Sequence, residues 1–494
     1  MSIKRMSIPR DERRISERPG RPADSIEASP ITSDNANHFR TDPGDSPIPV
    51  RARKESTRRD SEMPLPLLIW ADPKVPGVDP TAEMRTDTTR LRGLSGPGAK
   101  LLAAGDMESA KRLYEKMLRS DPLSREAHAG LYYAYSALGD KHCAASHLGL
   151  AMQLPAIIQL PFRGTGEPVP VLLLLSINAG NVLIQRFLND RIFQTHVVLV
   201  EFYDDAVSLP GHCLVVNGVG DADVRLRALM AAERILARSW APVINRPERV
   251  LATGRCEVAR RLGNIPGVLA PLCAAFTREQ LMDADAVRRL TAQGFEFPLL
   301  IRAPGFHMGL NFVRVEEPNA LCASVAELPG NEVIVLQYLD GSASDGNIRK
   351  YRVLMVGEEL YPVHLAIARD WKIHYFSADM ADNSEHRAEE ALFLNNMERV
   401  LGPEVMRRLR LIQETLGLDY GGIDFGLNTR GEMLLYEANA TMAVYRPDAD
   451  PKWDYRRPSV DRIYAAVQNL FLSRANAACI DNFLPTARPA MGVH

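Results

Sequence analysis

Along residues 420–439 (YGGIDFGLNTRGEMLLYEAN) large apolar side chains alternate with small or polar ones, the period of two expected of paired strands with one buried face. Asn428-Thr429-Arg430-Gly431 supplies a turn, and a two-residue loop at Thr429-Arg430 sets Asp424 opposite Leu435. In that register Ile423, Phe425, Leu427, Leu434 and Tyr436 form a core face. Asp424, Glu437 and Asn439 share the opposite face, over a floor that Gly422 and Gly426 leave bare. KYRVLMV and ELYPVHLAI (350–367) flank Gly357-Glu358 as a second hairpin, and FPLLIRAP (297–304) and VIVLQYL (333–339) are short buried strands. Further runs at 169–176 (VPVLLLLS), 196–203 (HVVLVEFY) and 213–217 (CLVVN) read as strands, and 222–238 has helical spacing. That succession predicts a small parallel α/β domain over 165–245. Helices are expected at about 385–400 and 403–416, with a closing helix at 458–474 and a loose tail over 480–494.

The amino-terminal part lacks this patterning. Residues 1–63 are rich in Arg, Ser, Pro, Asp and Glu and carry too few large apolar groups to offset conformational entropy, so the expectation is a disordered tail. In 96–155, Gly105-Asp106 returns as Gly139-Asp140, Ala110 as Ala144 and Leu101 as Tyr135, each 34 residues on. With Tyr114 and Pro122 this resembles tetratricopeptide helical repeats, which implies either a cap on the next domain or a docking site for a protein partner.

Composition narrows the class. A chain of 494 residues predicts several domains, and 46% apolar with 24% charged residues is the balance of a soluble globular protein. A formal net charge of -2 and no basic stripe argue against a nucleic-acid partner. No apolar run approaches the ~20 residues of a membrane span. The six cysteines form no C-x-x-C pair, which argues against a zinc site or a disulfide framework and fits a reducing cytoplasm.

Two carboxylates and an amide oxygen on one strand face would repel unless a cation joined them, and an all-oxygen set suits a hard ion, Mg²⁺ above all. Hence Asp424, Glu437 and Asn439 are the candidate metal ligands. RAPGFHMG (302–309) places Arg302 at a strand end, then a loop bounded by Gly305 and Gly309 whose backbone suits phosphate, with His307 inside it. Lys350 and Arg352 are like charges on one strand face, an arrangement that calls for an anion between them. His364, Lys372 and His374 are candidates for the substrate or phosphate side, the last two sharing a face, and Ser176, Asn178 and Asn181, in a loop at a strand's carboxyl end, are candidate substrate contacts.

Asp424 in a Gly-x-Asp-Phe context, Glu437 thirteen residues on and Asn439 two beyond resemble the metal site of the ATP-grasp superfamily, which includes glutathione synthetase and D-alanine–D-alanine ligase. The resemblance implies an α+β and α/β multidomain chain: a pre-grasp domain at 165–245, then an ATP-grasp domain at 246–475 with a lid over about 265–340. It implies ATP with two Mg²⁺ ions, small-molecule carboxylate and amine substrates, and ligation through an acylphosphate. It also implies that Arg255 and Arg302 take the places of family lysines, and that Gln337, Tyr338 and Leu339 form the adenine hinge with Asp340 or Asp345 near the ribose. Arg302, His307, Lys350 and Arg352 would surround the transferring phosphoryl group. A kinase-like phosphotransferase and a non-catalytic ATP-binding scaffold are the alternatives.

Overall fold

A computed structural model of the chain describes residues 97–103, 106–153, 156–177, 180–306, 309–375 and 378–483. The expected tail over 1–63, Gly105, Asn178, His307 and the stretch from 484 onward lie outside the described residues.

Four helices come first: α1 (Pro97–Ala103), α2 (Met107–Ser120), α3 (Arg125–Ala137) and α4 (Lys141–Gln153), each packed on the next. Small residues permit the approach. Gly98 and Gly130 both lie against the Tyr114 ring where a Cβ would collide, and Ala110, Ala127 and Leu131 are fully buried. Asp106 caps α2 by accepting the Ser109 N–H at 3.1 Å, and Gly139 (φ 84°) follows the end of α3 in the left-handed region.

The first sheet contains β1 (Ile157–Gln159), β2 (Val169–Leu175), β3 (Phe193–Leu199), β4 (Leu214–Asn217) and, beyond α5 (Leu226–Leu236), β5 (Val243–Ile244). Its order is β1-β3-β2-β4-β5, with β1 antiparallel at one edge and the other pairs parallel. The unbroken run of β2 is apolar because both its faces are covered, by α5 on one side and by the last helix on the other.

Next come α6 (Pro247–Leu251), α7 (Arg255–Leu262), β6 (Val268–Leu269), β7 (Cys273–Thr277), α8 (Arg278–Met282), α9 (Ala286–Ala292), β8 (Leu299–Arg302), β9 (Phe312–Val315), α10 (Leu321–Glu327) and β10 (Glu332–Gln337). Strands β7-β10-β8-β9 make an antiparallel sheet with its own core of Phe276, Leu290, Phe295, Ile301 and Val335. One expectation fails here. Cys256 on α7 is disulfide-bonded to Cys273 on β7, their Cα atoms 4.9 Å apart. Cysteines 17 positions apart are joined because the chain reverses between α7 and β7, a proximity that spacing does not reveal.

The third sheet, β12-β11-β13-β14-β6, is built from β11 (Ile348–Val356), β12 (Glu359–Ala368), β13 (Tyr420–Leu427) and β14 (Met433–Asn439), with α11 (Ser384–Asn395) and α12 (Met397–Leu416) intervening. The expected break between 400 and 403 is present, since Gly402 (φ 75°) interrupts α12 ahead of Pro403; a further boundary that was not expected falls at Asn396, which caps the start of α12 by accepting from Arg399. Tyr351, Val353, Ile423, Phe425 and Leu435 pack one face on Phe393, Leu409 and Ile412. On the opposite face Leu354, Val356 and Tyr420 lie under α13 (Arg457–Phe483), which runs past residue 480 where a loose tail was expected.

The hairpin register also differs from expectation. Gly431 takes φ 73°, Asn428 pairs with Glu432, and the loop has three residues. A bulge then leaves Tyr436 unpaired, so Asp424 stands opposite Glu437 and not Leu435. Met433, Leu435 and Ala438 therefore pack into the core over α12, while Leu434, still buried at 2% exposure, lies against Gly341 instead. The expected bare floor is filled: the space over Gly426 holds the Tyr436 hydroxyl, and that over Gly422 holds Met442 at 2.8 Å from a built Cβ.

Candidate active site

The face that begins apolar beneath α13 becomes charged where that helix ends. One cross-strand row runs Glu437, Asp424, Arg352, His364 over β14, β13, β11 and β12. The anion that the Lys350–Arg352 pair calls for is supplied by the chain. Arg352 grips Asp424 with two hydrogen bonds of 2.6 and 2.8 Å, and Lys350 Nζ lies 3.0 Å from the same carboxylate. Asp424 is 1% exposed. Burial alone would push its carboxyl up, but Arg352 and Lys350 overcome this and hold it well below the usual carboxylate range.

Arg255, the first residue of α7, donates to Glu437 at 2.7 Å. Arg302, at the end of β8, is bonded through one terminal nitrogen to the Phe306 carbonyl, while its Nε is buried without a partner, as is the Nε of Arg255. Burial, with Arg255 nearby, lowers Arg302 to about 10, so it remains a cation at neutral pH. Four cations thus face Asp424 and Glu437, with Asp221 and Asp223 beside Arg255 and Arg302, and the buried Nε–H groups of the two arginines await an acceptor. Gly305 and Gly309 both have positive φ, 78° and 72°, and each lines a cavity beside Arg302.

The main cavity has a volume of about 370 Å³. Leu300, Arg302 and Leu336 of the β7-β10-β8-β9 sheet wall it with Tyr338 and Leu339 just after β10, and Lys350, Arg352, Asp424 and Glu437 wall it from the third sheet. Segments after β12 and β14 complete it with Trp371, Lys372, His374, Tyr375, Trp453 and Arg456. Arg314 stacks 4.1 Å over the Tyr338 ring, stiffening that edge. A smaller cavity beside it joins Arg255, Arg302, Gly305, Glu437 and Asn439 with Asp221 and Asp223.

Several expected contacts have other roles. Gln337 lines the cavity, but its amide exchanges two 2.9 Å hydrogen bonds with the Glu296 backbone. Asp345 lines neither cavity; it pairs with Arg349 at 2.9 Å. Ser176 is fully buried and bonds Glu201, also outside both cavities. Asn181 lines the cavity while bridging the Ser176 backbone at 2.9 and 2.7 Å. Lys372 reaches the Phe312 carbonyl of β9 at 2.9 Å, tying the segment after β12 to the β7-β10-β8-β9 sheet. Burial, then Lys350 and Arg352, lower His374 to about 4, leaving it neutral.

Sequence reasoning missed Asp221, Asp223, Trp371, Trp453 and Arg456. Asp223 accepts the Arg255 N–H at 2.9 Å and so fixes the start of α7. The signal available was GDAD (220–223), a turn-former after a strand; the aromatic and Arg456 contributions come from loops with no periodicity.

Asp424, Glu437 and Asn439 lie on one face of the hairpin, and the donor set is all oxygen, which fits a hard divalent cation. Each already has protein partners: Asn439 donates to Glu437 at 3.0 Å, and its oxygen accepts from Thr441 at 2.9 Å. Among the described residues no group of three or more His, Cys, Asp or Glu side chains is placed to hold a metal. A cation bound here would take over part of the neutralisation now supplied by Arg255, Lys350 and Arg352.

No described protein family matches the sequence, and no curated protein matches it. Among solved structures, a RimK-domain ATP-grasp protein from Sphaerobacter thermophilus is similar over 61% of this chain and 99% of its own, at 17% identity and a TM-score of 0.37. D-alanine–D-alanine ligase from Bacillus anthracis, solved with ATP, is similar over 63% of this chain and 99% of its own, at 10% identity and 0.39. The ATP-grasp ligase PsnB, solved with a precursor variant, Mg and ADP, is similar over 63% and 99%, at 14% and 0.36. These likenesses are weak, and the residues in the cleft are what bear on function. Among the described residues no helix is long and apolar enough to cross a membrane.

Proposed function

We propose that the chain is an ATP- and Mg²⁺-dependent ligase of the ATP-grasp type, joining a carboxylate to an amine or thiol. The observation that carries this reading is the proximity of Arg255 and Arg302, whose Nε atoms are buried and unpartnered, to the Asp424–Glu437 carboxylates at the edge of the separate β7-β10-β8-β9 sheet. Cations left with spare donors suit a polyphosphate, and adjoining carboxylates suit its metal ion. The adenine would lie among Leu300, Leu336, Tyr338 and Leu339; Mg²⁺, held by Asp424, Glu437 and Asn439, would neutralise phosphate charge. Arg302 and the backbone at Gly305 and Gly309 would orient the phosphates, and Lys350 and Arg352 would offset charge building on the transferring group. A substrate carboxylate oxygen forms the bond to the γ-phosphorus as its bond to the bridging oxygen of ADP breaks. The amine or thiol then attacks the acyl carbon, loses a proton, and phosphate leaves.

A second reading has one observation in its favour. Both Asp424 oxygens are already occupied by the chain's own cations, as in a nucleotide-binding scaffold that no longer turns over. The test is release of ADP and free phosphate stimulated by carboxylate plus amine or thiol. Glu437→Ala should abolish that release with the fold retained, since the Glu437 side chain is 27% exposed and the Arg255 cation it leaves still has Asp223 and Asp221 nearby. Full turnover in that variant would rule out the metal assignment; nucleotide binding with no stimulated release in wild type would favour the scaffold.

A further inference from the structure

Beyond the groups assigned to ATP, the cavity holds two further buried polar side chains with nitrogens lacking a hydrogen-bond partner. Arg456, 8% exposed, ends a 3-10 turn at Pro451–Arg456 and lines the cavity. Its guanidinium lies 4.1 Å over the Tyr375 ring, and its Nε, 3.4 Å from Glu390 Oε1, is not aligned for a hydrogen bond. His364, 7% exposed, sits 4.8 Å from the same ring, and its Nε2 is buried with no partner.

The frame behind them is rigid. Glu390, with no exposed surface, accepts from Tyr375 Oη at 2.9 Å, Tyr455 Oη at 2.5 Å and the Leu365 N–H at 3.3 Å. Burial keeps His364 neutral, so Nε2 is able to donate one N–H without adding charge. Unfilled donors of this kind are costly unless a ligand meets them. The surrounding wall is apolar, with Trp453, Met380 and Met442 lining the same cavity. His364 stands in register with Arg352, so an anion at His364 is about one strand spacing, ~5 Å, from the phosphate-binding row.

We propose that Arg456 and His364 form the subsite for the acid to be activated: a carboxylate carried on an apolar or aromatic body, its oxygens meeting Arg456 and His364 and its body lying on Trp453, Met380 and Met442. This rests on reading the cleft as that of a ligase and specifies the substrate class. An arginine fork matches the two carboxylate oxygens, whereas an amide offers only one acceptor and no charge.

The test is isothermal titration of the full chain with 3-phenylpropanoate, hexanoate, acetate and 3-phenylpropanamide. The two larger acids should bind, with acetate and the amide weaker by at least about tenfold. Arg456→Gln should weaken 3-phenylpropanoate by at least about tenfold and Arg456→Lys by less, with affinity for a non-hydrolysable ATP analogue unchanged in both. No binding of either larger acid, equal binding of acid and amide, equal binding of acetate, or an Arg456→Gln protein that binds the acid as wild type does would each overturn the proposal. The acid–amide comparison needs no variant and decides the matter even where Arg456→Gln fails to fold. Acid binding with no nucleotide binding would overturn the ligase reading and leave the acid subsite standing.

Discussion

Asp424 shows how a charge survives under a sheet. At 1% exposure an isolated carboxylate would be prohibitive, yet two cations from the adjacent strand meet it within 3.0 Å. Removing the acid leaves those cations uncompensated, so Asp424→Asn should lower unfolding free energy by about 3–5 kcal/mol in urea titration. The pH profile should carry the same signature. The folded carboxyl titrates below its unfolded value of about 3.9, so its stabilisation is complete above that pH and is lost as pH falls toward the folded value. The gap between wild type and Asp424→Asn should therefore be constant near neutrality and close progressively below about pH 4. A gap independent of pH down to acid unfolding would mean that the pair contributes little. The charges themselves were legible in the sequence, because Lys350 and Arg352 alternate with core residues. Their partner was not, because strand order is a property of the fold.

At the scale of elements, local period was legible and register was not. Ile423 and Phe425 face the core as their alternation predicts. Beyond the turn, one bulged residue, Tyr436, exchanges which side chains face inward on part of β14. Nothing in NTRGEMLLYEA distinguishes a two-residue loop from a three-residue loop with Gly431 in the left-handed region; the cross-strand bonds decide. Cys256 and Cys273 are the same case between α7 and β7. A bond closing a loop of 17 residues restricts the unfolded chain by roughly 3 kcal/mol in the entropic account. Cys256→Ser with Cys273→Ser should thus lower stability by about 2–4 kcal/mol, and non-reducing peptide mapping should recover the 256–273 cross-link. Recovery of both as free thiols from protein prepared under oxidising conditions would remove this element from the account.

Over the whole molecule, the cleft is assembled from the segment after β2, the β7-β10-β8-β9 sheet, the third sheet and two late loops, and its sequence contributors span Gly180 to Arg456. A ligand filling it would touch Arg302 on the β7-β10-β8-β9 sheet, Tyr338 just beyond it, and Lys350 and Glu437 on the third sheet at once, linking parts that otherwise have separate cores. Binding to the folded state alone stabilises it by mass action, about 2.7 kcal/mol at a hundred times Kd. For a chain of 494 residues, at about 2.1 cal/mol/K of unfolding entropy per residue, that corresponds to a rise of roughly 3 °C in Tm, about 1 °C per kcal/mol. A non-hydrolysable ATP analogue with Mg²⁺ should produce that rise, and chelation of the metal should reduce it, because the phosphates would then meet Asp424 and Glu437 unscreened. Arg302→Ala should abolish the rise while barely changing Tm without ligand, since an Arg whose Nε is unpartnered and whose charge is opposed by burial contributes little to the unliganded fold. Differential scanning calorimetry separates the outcomes. A shift that persists in Arg302→Ala and ignores Mg²⁺ would place nucleotide binding elsewhere, and the charged row across the third sheet would then serve only to hold its strands in register.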